Sequence, residues 1–240
     1  MAAPNDPPQS PAYDVGHTHP DISGGWLRPA TFGAMDGLVS NTALIAGVAA
    51  AESARAVAVS GIAGLLAGAF SMALGEYTSV QTSNEQIDSQ VRVERRAQRR
   101  RPQAERAELV DMLVHLGMTE KTARTATDEI HRDENRAVTF HLEREIGVNP
   151  SEKPSPRLAA ASSFAMFAVG ALIPLIPYLL GYGSLAAGLA CGAVGLLIAG
   201  GLTARFTRKP VLWAAGRQLA LGGAAVAATY VCGLLVAKVF

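Results

Sequence analysis

Pro29-Ala-Thr-Phe-Gly-Ala-Met-Asp-Gly-Leu-Val-Ser-Asn-Thr-Ala-Leu-Ile-Ala-Gly-Val-Ala-Ala-Ala51 is a run of small and apolar residues interrupted by one acid, Asp36. A helix needs roughly 20 mostly apolar residues to cross the hydrocarbon core of a bilayer, and this run has that length. A carboxylate at membrane depth costs about 3 kcal/mol on insertion scales, so it is retained where it faces a bundle interior, a partner or an ion path. Asp36 therefore poses two questions at once, how many spans surround it and what it faces.

Four more stretches have the length and composition of a span: about 56–77, 158–181, 184–204 and 219–237. Across the chain 49% of residues are hydrophobic and only 17% are charged, which agrees with a polytopic membrane protein. The reading is an all-α protein with five transmembrane helices and a helical insert between the second and third. Residues 1–28 are polar and Pro-rich, read as a disordered tail rather than a cleavable signal peptide. Residues 29–81 hold spans one and two, 82–157 the insert, and 158–240 spans three to five.

Orientation follows from Lys and Arg. The insert holds 14 of the 21, and Arg205, Arg208, Lys209 and Arg217 lie between spans four and five. The opposite side carries chiefly Arg55 and Lys238. The positive-inside rule places both basic segments, and the N-terminus, in the cytoplasm, with the C-terminus outside. A multi-pass protein of the cell membrane is the expectation. The insert also has 14 acidic residues, so its charges alternate, and without interleaved aromatics it is no nucleic-acid arm. Cys191 and Cys232 both fall within spans and read as small packing residues, which leaves no disulfide framework or CxxC metal site.

Within the insert, Pro102 ends or kinks a first helix near Arg101. No breaker separates Tyr77 from Arg101, so span two can continue straight into it. A second helix over about 103–116 stops at Gly117, a third begins after the cap Thr119 and continues to about Glu134, and a fourth ends at Ile146 before Gly147. Potential metal ligands recur at helical spacing. Glu105, Glu108, Met112 and His115 share one face, Asp128, His131 and Glu134 are three apart, His141 and Glu145 are four apart, and Glu94 stands one helix earlier. Carboxylates with a few His or Met suit Mn²⁺ or Fe²⁺. The same spacings also arise on a solvated helix as ordinary i,i+4 ion pairs. His17, His19 and Asp21 in the tail are the weakest of these groups.

In the membrane, Asp36, Ser40, Ala43 and Gly47 form a narrow stripe on span one, and Gly61, Gly64, Gly68, Met72 and Glu76 form one on span two. Asp36 lies about 10 Å in from the cytoplasmic side at 1.5 Å per residue. If the stripes face each other, Asp36, Met72 and Glu76 share a depth, with Asn41 and Met35 close in sequence. Two carboxylates, a thioether and an amide make a transient site for a divalent transition ion, and carboxylates can exchange protons as it passes. The bland readings are headgroup contact for Glu76, ordinary core for Met72 and helix packing for the glycines.

Asp36-Gly-Leu-Val-Ser40, Gly68-Ala-Phe-Ser-Met-Ala-Leu-Gly-Glu-Tyr77, the charged insert and Ile173-Pro-Leu-Ile-Pro177 together resemble the vacuolar iron transporter family, over nearly the whole chain from Trp26 onward. The resemblance implies a transporter, not an enzyme. It implies a homodimer that exports Fe²⁺ or Mn²⁺ from the cytosol in exchange for protons, with no permanently bound cofactor. It assigns Asp36 and Met72 to the ion path and Glu94, Glu105, Glu108 and Glu145 to metal binding by the insert. Three positions depart from the family pattern: Gly64 replaces a span-two Glu two turns outward from the Met, Ala97 replaces an insert glutamate, and His141-Leu142 replaces a Met pair. A membrane-anchored metal sensor or storage module without transport is the rival expectation. No nucleotide-binding loop is present to support a primary pump.

Overall fold

A computed structural model describes residues 25–50, 52–207 and 209–239, and among them every regular element is an α-helix. The helices are α1 (Leu27–Ala49), α2 (Ala54–Arg100), α3 (Pro102–His115), α4 (Glu120–Ile130), α5 (Glu134–Glu145), α6 (Pro156–Leu179), α7 (Leu185–Thr207) and α8 (Val211–Val239). Five of them, α1, α2, α6, α7 and α8, are long and apolar enough to cross a membrane. The smaller α3, α4 and α5 make up the rest of the insert.

Most of the expected tail lies outside the described residues, but α1 begins two residues before Pro29. Pro29 falls in the first helical turn, where its missing N–H would have had no intrahelical partner. Likewise α8 starts at Val211, eight residues before the expected 219: nothing between Pro210 and Leu219 breaks a helix, and polarity alone delayed the expected start. Its first turns are interfacial in character, with Arg217 stacked over exposed Trp213 at 4.9 Å from the ring centroid.

α2 is unbroken over 47 residues, about 70 Å at 1.5 Å per residue. Its N-cap Ser53 accepts from the Ala56 N–H, and Arg101-Pro102 ends it. The insert then folds back on the far end of this helix. α3 closes at Gly117, whose φ of +95° suits a residue without Cβ. Thr119 caps α4 by accepting from the Thr122 N–H at 3.3 Å. α4 stops at Ile130 rather than near Glu134, because Asp133 accepts from the Arg136 N–H at 2.7 Å and starts α5. The Arg136 guanidinium donates to the Ile130 and Glu129 carbonyls, closing the same break from the other side. Leu109, Leu113 and Ala123 form the buried centre of the insert, flanked by Ile130 and Phe140. The returning linker is tied to α2 by Asn84 Nδ2 donating to the Pro154 carbonyl at 3.0 Å and by the Lys153–Asp88 ion pair.

In the span bundle, α6 lies against both α1 and α2. A Cβ on Gly37 would strike the backbone of Phe167, and one on Gly170 would meet the backbone of Ala34 and Leu38. The α1–α6 approach is therefore close enough to require small residues. Pro174 and Pro177 sit inside α6 and remove the N–H groups that would bond the Gly170 and Ile173 carbonyls. Between those two, the Ala171 carbonyl receives the Asn41 side-chain amide at 2.7 Å, a polar pin from α1 into the proline-modified turn.

Candidate metal centre

The membrane residues come first. Asp36 and Met35 are half-buried on α1, and Asn41 is buried at 2% exposure. Glu76 is half-buried on α2, and Met72 packs beside Ala69, Phe167 and Ala171. The two stripes do not oppose each other as expected. α1 meets α2 through Asn41, Leu44 and Ile45, which lie against Gly61 and Gly64, while Gly47 on the Asp36 stripe meets Thr229 of α8 and Ser40 is exposed. At 100° per residue, the residues facing α2 are roughly a quarter-turn or more around α1 from Asp36. A Cβ at Gly64 would come 3.1 Å from Asn41 Oδ1, a buried acceptor that has no hydrogen-bond partner.

The insert is different. Glu94 of α2, Glu105 of α3 and His141 of α5 present ligand atoms all within 4.8 Å of one another. Among the described residues this is the one such group of three or more His, Cys, Asp or Glu; Asp36 and Glu76 belong to none. Each side chain is set by its own helix. The straight extension of α2 carries Glu94, the Pro102 turn sends α3 back so that Glu105 in its first turn faces inward, and the Asp133 cap fixes the phase of α5. Exposures are 6% for Glu94, 9% for Glu105 and 0% for His141. His141 Nδ1 lies 3.0 Å from Glu145 Oε1, 3.6 Å from Glu94 Oε1 and 4.0 Å from Glu105 Oε2. Glu108 is on the exposed side of α3, close enough for its charge to raise the pKa of both buried glutamates.

Burial pushes the Glu94 carboxyl above its ordinary range, opposed by a hydrogen bond from Gln98 at 3.0 Å and by His141. Burial also raises Glu105, with the Glu94 and Glu108 charges adding to it. Buried acids crowded in this way favour a cation that neutralises them. Oxygen donors with one imidazole form a set suited to a divalent first-row ion.

The other spaced candidates go elsewhere. His115 is exposed and bonds to its own helix at the Asp111 carbonyl. Asp128 pairs with Arg106 of α3 at 2.6 Å and Glu134 with Arg99 of α2 at 2.9 Å, exposed ion pairs between helices rather than the expected i,i+4 pairs along one. His131, grouped by spacing with Asp128 and Glu134, parts from both and turns to the cluster: its ring meets His141 edge to face, centroids 5.6 Å apart. Its sequence signal was the three-residue spacing with Asp128 and Glu134, which could not name His141 as its neighbour. His17, His19 and Asp21 lie outside the described residues.

Fold and site together define a helical, multi-span membrane protein whose second span extends into a carboxylate–imidazole cluster. A VIT family model matches residues 27–234. The chain is similar to a vacuolar iron transporter of Acanthamoeba castellanii, 32% identical over 94% of this chain and 84% of the relative. It is also similar to vacuolar iron transporter 1 of Oryza sativa, 28% identical over 89% and 88% of the two chains, and to vacuolar iron transporter 1 of Arabidopsis thaliana, 27% identical over 89% and 88%. The chain belongs to the VIT family.

Proposed function

We propose that this protein moves a divalent transition-metal ion, Fe²⁺ or Mn²⁺, out of the cytosol through the bilayer in exchange for protons. One observation carries the reading most: a single unbroken helix, α2, bears Glu94 in the buried cluster of the insert and Met72 and Glu76 in its membrane half. The 22 residues from Met72 to Glu94 correspond to about 33 Å of rigid helix. Membership of a family whose relatives are named vacuolar iron transporters supports the ion and the transport. In this scheme Glu94, Glu105 and His141, with Glu108 and Glu145 at the rim, collect the ion. Asp36 and Met72 conduct it, with Met35, Asn41 and Glu76 alongside, and the carboxylates exchange protons as it passes. The insert faces the cytoplasm of a cell membrane by the distribution of Lys and Arg, and the working unit is a homodimer.

Reconstituted vesicles loaded with an ion-sensitive dye test this. Fe²⁺, Mn²⁺, Zn²⁺ and Ca²⁺ are compared under an imposed pH gradient, with the expectation of Fe²⁺ or Mn²⁺ flux that acidifies the opposite compartment. Asp36→Ala is expected to abolish flux while the protein stays folded and inserted, and full transport by that variant overturns the mechanism. The cluster by itself also fits a membrane-anchored metal sensor or store. Tight metal binding with no flux from the wild-type protein selects that second reading.

A further inference from the structure

His141 is fully buried, and its two ring nitrogens have different surroundings. Nδ1 faces the carboxylates of Glu145, Glu94 and Glu105, whereas Nε2 is buried with no hydrogen-bond partner. The ring in contact with it belongs to His131, edge to face with an interplanar angle of 86°. His131 Nδ1 lies 2.9 Å from the Thr127 carbonyl. A carbonyl only accepts, so Nδ1 of His131 carries the proton and its Nε2 is a bare acceptor. That Nε2 is also buried without a partner. In the neutral ring that buried Nε2 offers only a lone pair.

The two unpartnered nitrogens have one joint solution. In the neutral tautomer that donates Nδ1–H to Glu145, His141 has no proton on Nε2, so each of the two rings in contact holds a buried nitrogen with only a lone pair. When a divalent cation takes the Nδ1 lone pair, the ring proton resides on Nε2, and the ring in contact with His141 carries a buried acceptor that lacks a donor. Histidine ligands regularly give their second N–H to a supporting group that fixes tautomer and ring orientation, and loss of that group lowers metal affinity about 10-fold to 100-fold. We infer that His131 is the positioning residue of this site, accepting through Nε2 the Nε2–H that His141 carries when its Nδ1 holds the cation. The inference rests on the reading of Glu94, Glu105 and His141 as metal ligands and adds the residue that caps the end of α4, a helix that supplies none of them.

The test uses the full-length protein in detergent with Zn²⁺ as a redox-inert, diamagnetic probe. Calorimetric titration compares wild type, His141→Ala, His131→Phe and His131→Gln, and ¹⁵N-histidine NMR reports the His141 tautomer in the Zn²⁺-loaded wild type. The expected results are a loss of about 10-fold to 100-fold in affinity for His131→Phe, recovery of most of it by His131→Gln, whose Oε1 accepts, and a His141 signal from Nε2–H. If His141→Ala weakens binding while His131→Phe matches wild type, the metal site stands and the role of His131 is overturned. Equal weakening by Phe and Gln overturns it too, because a packing role would not distinguish an acceptor. Wild-type affinity in His141→Ala overturns both the inference and the ligand reading beneath it. Should His131→Phe lose its helical insert, the wild-type spectrum decides, and a Zn²⁺-loaded His141 protonated on Nδ1 overturns the inference.

Discussion

Replacing Glu94 by Gln should act in opposite directions with and without metal. The ligand oxygens of Glu94 and Glu105 lie within 4.8 Å of each other. At an effective dielectric of about 20, two ionised carboxylates at that separation repel by about 3 kcal/mol. The Gln98 side chain would still bond the new amide oxygen, but without charge assistance, a loss of about 1 kcal/mol. The expected net effect in chelator is a local stabilisation of about 2 kcal/mol in the insert, which corresponds to roughly 30-fold rarer opening. Metal at about 100 times the wild-type dissociation constant stabilises the wild type by about 2.7 kcal/mol, whereas a variant binding 100-fold more weakly gains only about 0.4 kcal/mol. The variant's advantage should therefore vanish on adding metal. Hydrogen exchange followed by mass spectrometry on peptides from α3 and α5 reads both effects locally, away from the spans. Faster exchange of the variant in chelator, or an equal metal response in the two proteins, would refute the reasoning that Glu94 is a crowded charge kept for a cation.

Two further outcomes are accessible to simple assays. Burial raises both Glu94 and Glu105 above the ordinary carboxylate range, so protons compete with metal at higher pH than for exposed glutamates. Affinity should fall as pH drops through those raised values, and a titration showing constant affinity from neutral into the acid range contradicts it. The same shift makes the insert without metal lose stability as pH rises through the folded-state values and regain it in acid, because the folded state binds the protons more tightly than the unfolded one. Gly170→Ala should weaken the span bundle by about 1–3 kcal/mol, because the added methyl meets the backbone of α1 rather than a movable side chain. Gly75→Ala, with open space around it, is the matched control, and equal melting of the two variants in detergent would count against the close α1–α6 contact.

The spans and most helix ends could be read from the chain because their causes are local. Length and hydropathy mark a span, and Pro102, Gly117, Thr119 and Gly147 act within one or two turns of where they stand. Errors arose where two local signals competed. Asp133 and Arg136 jointly stop α4 and start α5, while the spacing of Asp128, His131 and Glu134 looked like one continuing face.

Facing is another matter. A helical stripe says which residues share a side, never which neighbour covers it, so Asp36, Ser40 and Gly47 formed a correct stripe whose partner the sequence could not name. Packing decided it: the close α1–α6 contact through Gly37 and Gly170 turns Asn41, Leu44 and Ile45 toward α2 and leaves Gly47 to α8. By itself the sequence determined an all-helical, multi-span chain, an insert grown from the second span and the residue types that hold cations. Only the tertiary structure decided that Glu94, Glu105 and His141, taken from three helices and 48 residues of chain, share one buried pocket with His131 beside them. Burial and the convergence of charges are properties of the folded arrangement, and no spacing along one helix encodes them.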